Sequence, residues 1–207
     1  MPTIERDLNP SPRLLLGPGP SMIPPRVLRA MATPLVGHLD PEFIAILTDL
    51  QDLLRRVFQT GNRLTLAVPG SGTAAMEAAL VNLLEPGERV LSCVNGFFGD
   101  RLAEIAHRLG ADVARLEVPW GQALDVEAIS RSLDQRLARI VTLVHAETST
   151  GVRQPEIESV AAACHQHGAL LILDCVTSLG GLPVEVDAWD VDLAYGAAQK
   201  CLSAPPG

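Results

Sequence analysis

The chain's 207 residues include fifteen arginines and a single lysine, Lys200, seven positions from the end. A lone lysine is ordinarily a solvated surface charge. Lys200 instead follows a buried-type stretch at 192–196, and the small residues Gly196, Ala197 and Ala198 leave room beside it. Partly desolvated, an amine can lose its proton far below its usual pKa of about 10.4 and act as a nucleophile. Two further segments could do chemistry. Pro69-Gly70-Ser71-Gly72-Thr73-Ala74 reads as a turn from a strand into a helix. Its free N–H groups and dipole suit a phosphate, unless it is an ordinary turn with a Ser or Thr cap. Asp174 ends the apolar run 169–173, either as a helix cap or as a carboxylate holding a cationic ligand atom. The turn is neither a P-loop, lacking Gly-Lys-Ser/Thr, nor a dinucleotide fingerprint, lacking the third glycine and the later acid. Gly17-x-Gly19 has no full strand before it and carries less.

The elements that would position these groups alternate along the chain. Apolar strands are expected at 64–68, 89–94, 112–118, 140–145, 169–174 and 192–196, with helices at 73–84, 98–109, 126–137 and 157–167. The fold class is therefore α/β, a mainly parallel sheet with helices on both faces. Residues 182–186 are a candidate extra strand. Upstream, Leu14-Leu15-Leu16 runs into Gly17-Pro18-Gly19-Pro20, an extended arm, and Pro24-Pro25 starts a short helix through Met31. Asp40-Pro41 is an N-cap with proline at the first helical position, opening an amphipathic helix over 42–58. In open α/β sheets, ligands bind beyond the C-terminal ends of the strands, where all three chemical groups fall. A phosphate cradle, a carboxylate and an amine on one sheet edge are what pyridoxal 5'-phosphate requires. The helix start anchors its phosphate, the carboxylate keeps its pyridine nitrogen protonated, and the lysine bonds its aldehyde carbon.

Composition narrows the partners. With 47% hydrophobic and 19% charged residues and a mean hydropathy of +0.23, the chain can bury a sizeable core. A net charge of −8 and a pI near 5.0 argue against nucleic acid or an anionic membrane surface. The four cysteines are widely spaced with no C-x-x-C pair, so neither a disulfide scaffold nor a metal site is expected, and a reducing cytoplasm fits. Residues 1–12 lack the apolar core of a secretory signal, and no stretch of about 20 residues is apolar enough to span a membrane.

Several stretches carry a family resemblance. They are Leu14-Leu15-Leu16-Gly17-Pro18-Gly19-Pro20-Ser21, Gly70-Ser71-Gly72-Thr73-Ala74-Ala75-Met76-Glu77-Ala78, His145-Ala146-Glu147-Thr148-Ser149-Thr150-Gly151, Asp174-Cys175-Val176-Thr177-Ser178-Leu179-Gly180-Gly181 and Gln199-Lys200-Cys201-Leu202-Ser203-Ala204-Pro205-Pro206-Gly207. In this order the chain resembles the class V, fold-type I aminotransferases, most closely the alanine–glyoxylate and serine–glyoxylate branch. The resemblance implies phosphate contacts from Ser71, Gly72, Thr73 and Gln199. It implies Lys200 as the covalent anchor and proton carrier, and Asp174 as partner of the pyridine nitrogen. Val176 would pack on one face of the ring and Phe98 would stack on the other, while Thr148 would bond the cofactor's phenolic oxygen. The implied reaction takes an amino group from alanine or serine and gives it to glyoxylate, with small amino acids and 2-oxo acids as substrates and a homodimer as the assembly. Cysteine desulfurases of the same class typically carry His over the ring and His in place of Gln199, so the pattern favours transamination over a desulfurase or lyase. The arm around Gly17 to Ser21 and His38 would border the substrate pocket or brace a dimer.

The resemblance also divides the chain, into an arm with a short helix at 1–40 and a cofactor-binding large domain at 41–207. Such chains continue well beyond the lysine, so this one is expected to be incomplete at its C-terminus. The remainder would carry the arginine for the substrate carboxylate and a strand lying between segment 64–68 and the strand before Lys200. A non-catalytic remnant or binding fragment is the alternative reading of the chain as it stands.

Overall fold

Apolar runs without polar interruption become strands buried on both faces, as expected of a parallel sheet. In the computed structural model, which describes residues 10–206, they are β1 (Arg89–Val94), β3 (Ile140–Val144) and β6 (Leu170–Asp174). The polar lead at 1–9 and the terminal Gly207 lie outside the described residues. With the more exposed β2 (Asp112–Glu117) and β7 (Leu193–Tyr195) they form a five-stranded sheet of order β2-β1-β3-β6-β7, every pair parallel. A separate two-stranded ribbon, β4 (Ala146–Glu147) against β5 (Val152–Arg153), was not anticipated.

Helices cover both faces. Successive strand residues point to opposite sides, so Val90, Ile140, Val144 and Ile172 meet α3 (Gly72–Leu83) and α4 (Phe97–Arg108). Leu91, Val141, Leu143, Leu171 and Leu173 meet α5 (Val126–Gln135) and α6 (Ile157–Gln166). This is the expected α/β architecture, with four helices and five strands within a residue or two of their sequence-read bounds.

Two expected strands are absent. Residues 64–68 pair with no strand among the described residues, and Leu64 and Leu66 are 81% and 51% exposed. A strand exists only beside a hydrogen-bonded neighbour, and β7 has a single one, β6. Residues 182–186 form no strand either. Leu182 makes an isolated bridge to Leu179, and Val184 is buried in the core, so the segment's apolar side chains fill a loop.

The N-terminal region stands off this body. Helix α1 (Pro25–Met31) and helix α2 (Pro41–Phe58) bury no residue. Asp40 caps α2 as expected, accepting from the Glu42 N–H at 2.8 Å. The C-terminal end of α2 is tied down: Val57 and Phe58 pack on the core, and the Phe58 carbonyl accepts from Val186 N–H at 3.1 Å. Asp187 accepts from the Thr60 hydroxyl at 2.5 Å and the Gly61 N–H at 2.8 Å.

Candidate active site

Asp174 lies at the C-terminal end of β6 and is 3% exposed. Its Oδ1 accepts from the Val176 N–H at 2.8 Å, and its Oδ2 accepts from the Tyr195 hydroxyl at 2.7 Å. Tyr195 stands opposite it in the β6–β7 register. Burial pushes the Asp174 carboxyl up to about 6, with Glu147 adding to the rise, while the two hydrogen bonds and the Lys200 charge oppose it. The Tyr195 phenol is held well above its ordinary range by burial and by Asp174. This carboxylate is thus hydrogen-bonded but short of a cation.

The loop after Asp174, the start of α3 and the loop after β7 converge. A Cβ on Gly72 would lie 3.1 Å from the Ala197 Cβ and 3.2 Å from the Val176 Cγ2, so a side chain there would need these neighbours to give by a few tenths of an ångström. Ser71, the N-cap, makes no side-chain cap bond, leaving the first N–H groups of α3 open. Gln199 has its Oε1 buried without a hydrogen-bond partner. A half-turn of that amide would present N–H donors instead. Thr73 Oγ1 accepts from Arg101 Nη1 at 3.1 Å.

Phe98 sits in the first turn of α4, edge-on to Phe97 with centroids 5.3 Å apart, and packs against the cluster containing Val176 and Tyr195. The start of α4 is capped from a distant turn. Glu147, 1% exposed, accepts through Oε2 from the Phe98 and Gly99 N–H groups at 3.0 and 3.3 Å. Its Oε1 accepts from the Ser149 N–H and hydroxyl at 3.0 and 2.7 Å. A Cβ on Gly96 would lie 2.4 Å from the Glu147 Cγ, so this cap requires glycine there.

Lys200 and Thr148 line a cavity of about 510 Å³, together with Pro18, Gly19, Glu147 and Thr177. The Thr148 and Thr177 hydroxyls are hydrogen-bonded to each other. Lys200 Nζ donates to the Pro18 carbonyl at 2.9 Å. Ser21 fastens the arm, donating its N–H to the Gln199 carbonyl at 2.8 Å and its hydroxyl to the Lys200 carbonyl at 2.7 Å. The arm therefore borders the same cavity as the lysine, whereas His38 does not line it. The α3 turn, Phe98 and Asp174 lie outside the cavity wall.

Three residues at this centre were not singled out from sequence. Tyr195 had a signal, being the chain's only tyrosine and lying two residues before Ala197. Glu147 belongs to a motif that carried the family resemblance, but its capping role is invisible without the fold. Arg101 had none. His145, buried beside the ribbon, bonds Ser178 Oγ at 2.9 Å through Nδ1, and burial lowers it to about 4, so it stays neutral.

These residues fit pyridoxal phosphate. A protonated ring nitrogen would give Asp174 the cation it lacks, and a phosphate would answer the open N–H groups of α3 and the unpartnered amide of Gln199.

Comparison with known proteins gives the family. The family profile of aminotransferase class-V matches residues 13–207. The alanine–glyoxylate aminotransferase of Mus musculus is 44% identical over 204 residues, 99% of this chain and 49% of the mouse protein. The (S)-ureidoglycine–glyoxylate transaminase of Bacillus subtilis is 44% identical over 202 residues, 98% of this chain and 48% of that protein. The crystal structure of an alanine–glyoxylate aminotransferase from Nostoc sp. superposes with a TM-score of 0.95 at 52% identity, covering 98% of this chain and 53% of that one. The chain thus spans about half the length of the curated relatives it matches.

Proposed function

The chain belongs to the class-V aminotransferases, and we propose that it binds pyridoxal phosphate and serves amino transfer to glyoxylate. The amino donor is alanine or serine, and the products are glycine and a 2-oxo acid. The acceptor has the wider support, because the mouse and Bacillus relatives carry different donors in their names and share glyoxylate. Residues 41–207 are read as the cofactor-binding domain and residues 1–40 as the arm. The assembly is read as a homodimer, for which the exposed apolar side chains of α2 offer a surface. The cysteines of the described residues are free thiols, in keeping with a reducing compartment such as the cytoplasm.

The observation that carries this reading is Asp174, a buried carboxylate with two hydrogen bonds and no ion-pair partner among the described residues, at the C-terminal end of the strand beside the one that leads to the only lysine. Bound there, pyridoxal phosphate supplies an aldehyde carbon and an electron-withdrawing ring. Asp174, steadied by Tyr195 and the Val176 N–H, holds the proton on the ring nitrogen. Val176 and Phe98 enclose the ring and exclude water from its faces. Ser71, Gly72, Thr73 and Gln199 bind the phosphate, and Thr148 orients the phenolic oxygen. Lys200 Nζ, which now donates to the Pro18 carbonyl, would hold the cofactor at its aldehyde carbon and, once the substrate's amine displaces it and frees it as a neutral amine, would be the base for the proton on the substrate Cα.

Titration of the chain with pyridoxal phosphate tests the reading. The absorbance of cofactor bound covalently to a lysine is expected in the wild type and is lost in Lys200→Ala. Persistence of that band in Lys200→Ala would sink the assignment. Sulfide release from cysteine without amino transfer would select a desulfurase instead.

A further inference from the structure

Arg101 has no place in the roles above, yet it touches both sides of the site. Its Nη1 donates to Thr73 Oγ1 at 3.1 Å, and its guanidinium carbon lies 4.7 Å from the Phe97 ring centroid and 5.7 Å from that of Phe98. It is half-buried, and no carboxylate among the described residues pairs with it. The acids of its own helix are already engaged, Asp100 with Arg115 at 2.6 Å and Glu104 with Arg108 at 2.5 Å. A cation without a counter-ion therefore sits beside the positive end of the α3 dipole, an arrangement that favours an anion nearby. The four residues assigned to the phosphate, Ser71, Gly72, Thr73 and Gln199, are all neutral, and Lys200 is committed to the aldehyde carbon.

We propose that Arg101 supplies the counter-charge for the cofactor phosphate, acting through Thr73 as a positioning residue. This inference rests on the cofactor reading of the preceding section. The guanidinium fixes the Thr73 hydroxyl and lends its charge to the α3 cradle. Lying over the rings of Phe97 and Phe98, it also ties that cradle to the wall that stacks on the cofactor.

The test compares pyridoxal phosphate with pyridoxal, which has the same ring and aldehyde but no phosphate, as ligands of the full chain. Binding is read from fluorescence or calorimetry in wild type, Arg101→Gln and Arg101→Lys, with thermal unfolding of each unliganded chain alongside. In Arg101→Gln, affinity for pyridoxal phosphate is expected to fall roughly tenfold or more, while affinity for pyridoxal stays within about twofold. Arg101→Lys keeps most of the preference for the phosphate, and raising the salt concentration narrows the gap between wild type and Arg101→Gln. A purely structural role would weaken both ligands alike, and an unchanged ratio of the two affinities across the three proteins would overturn the proposal. If Arg101→Gln fails to fold, Arg101→Lys and the salt dependence decide. A phosphate preference that is insensitive to salt in the wild type and lost in folded Arg101→Lys would assign the role to guanidinium geometry rather than charge, and would also overturn it. A wild-type chain that binds neither ligand would instead overturn the cofactor reading itself.

Discussion

Between Pro10 and Ala75 no residue is buried, whereas β1, β3 and β6 are buried nearly throughout. Both regions are rich in patterned apolar residues. Helix α2 is as amphipathic a sequence as α4, yet α4 buries Leu102, Ala103 and Ala106 against β1 and β3 while α2 buries nothing. Ile44, Ile46, Leu47 and Leu53 stay between 39% and 56% exposed. Periodicity states that a face is suited to burial. It does not supply the neighbour, and among the described residues α2 finds one only at its C-terminal end, where Val57 and Phe58 pack on the core.

The largest effect expected from this contrast is in the sheet. Leu171 is fully buried in β6, the strand between β3 and β7, opposite Val141 of β3. Leu171→Ala leaves a cavity that close-packed neighbours on both sides cannot fill, at a cost of about 3–5 kcal/mol. Chemical denaturation should show this as a lowered midpoint with little change in slope. A loss below about 1 kcal/mol would mean that the sheet is far more plastic than its burial implies.

A second effect separates fold from function inside the well-packed region. The Asp174 carboxyl is pushed up to about 6 in the folded chain, chiefly by burial, against about 3.8 in the unfolded one. The folded state therefore holds this proton more tightly. The stability it contributes is fully present below pH about 4 and is lost as pH rises through about 6, amounting to about 3 kcal/mol. In the cofactor-free chain, Asp174→Asn should lack that fall, so the two stability profiles diverge between pH 4 and 7 and run parallel above. Saturating pyridoxal phosphate should remove the fall in the wild type, because a cation on the ring then compensates the buried charge. Superimposable profiles in the absence of cofactor would show that Asp174 is not held in the buried, cation-poor setting described.

Legibility in the sequence followed the same divide. The bounds of β1 come out to the residue because its apolar run is flanked by Glu85-Pro86-Gly87-Glu88 and Asn95-Gly96, and α2 was placed by its Asp40-Pro41 start. Local signals suffice where a residue's own chain neighbours set its conformation. Residues 64–68 failed because being a strand is a relation between two segments, and composition cannot show that one of them lacks its partner. The site divides likewise. Lys200 stands out as the chain's only lysine and Asp174 as a carboxylate ending an apolar run; Asp174 closes β6, and Lys200 follows the end of β7 by five residues. Glu147 was hidden because it caps α4 across 49 positions of sequence, and Arg101 because its bond to Thr73, its place over the rings of Phe97 and Phe98 and its lack of a paired carboxylate among the described residues appear only in the fold.

The smallest expected effect is the sharpest check on the contrast, since it repeats the first substitution in the other region. Leu53 lies on α2, 54% exposed, with no core cluster against it. Leu53→Ala removes the same atoms as Leu171→Ala but opens no cavity, and alanine is the better helix former, so the stability of the dilute chain should change by less than about 0.5 kcal/mol. The substitution should matter only where two copies meet. If α2 faces a second copy in the proposed homodimer, Leu53→Ala weakens self-association in sedimentation at a protein concentration where the wild type pairs. A loss of several kcal/mol in the dilute chain would show instead that α2 is packed on its own sheet, erasing the difference between the two regions.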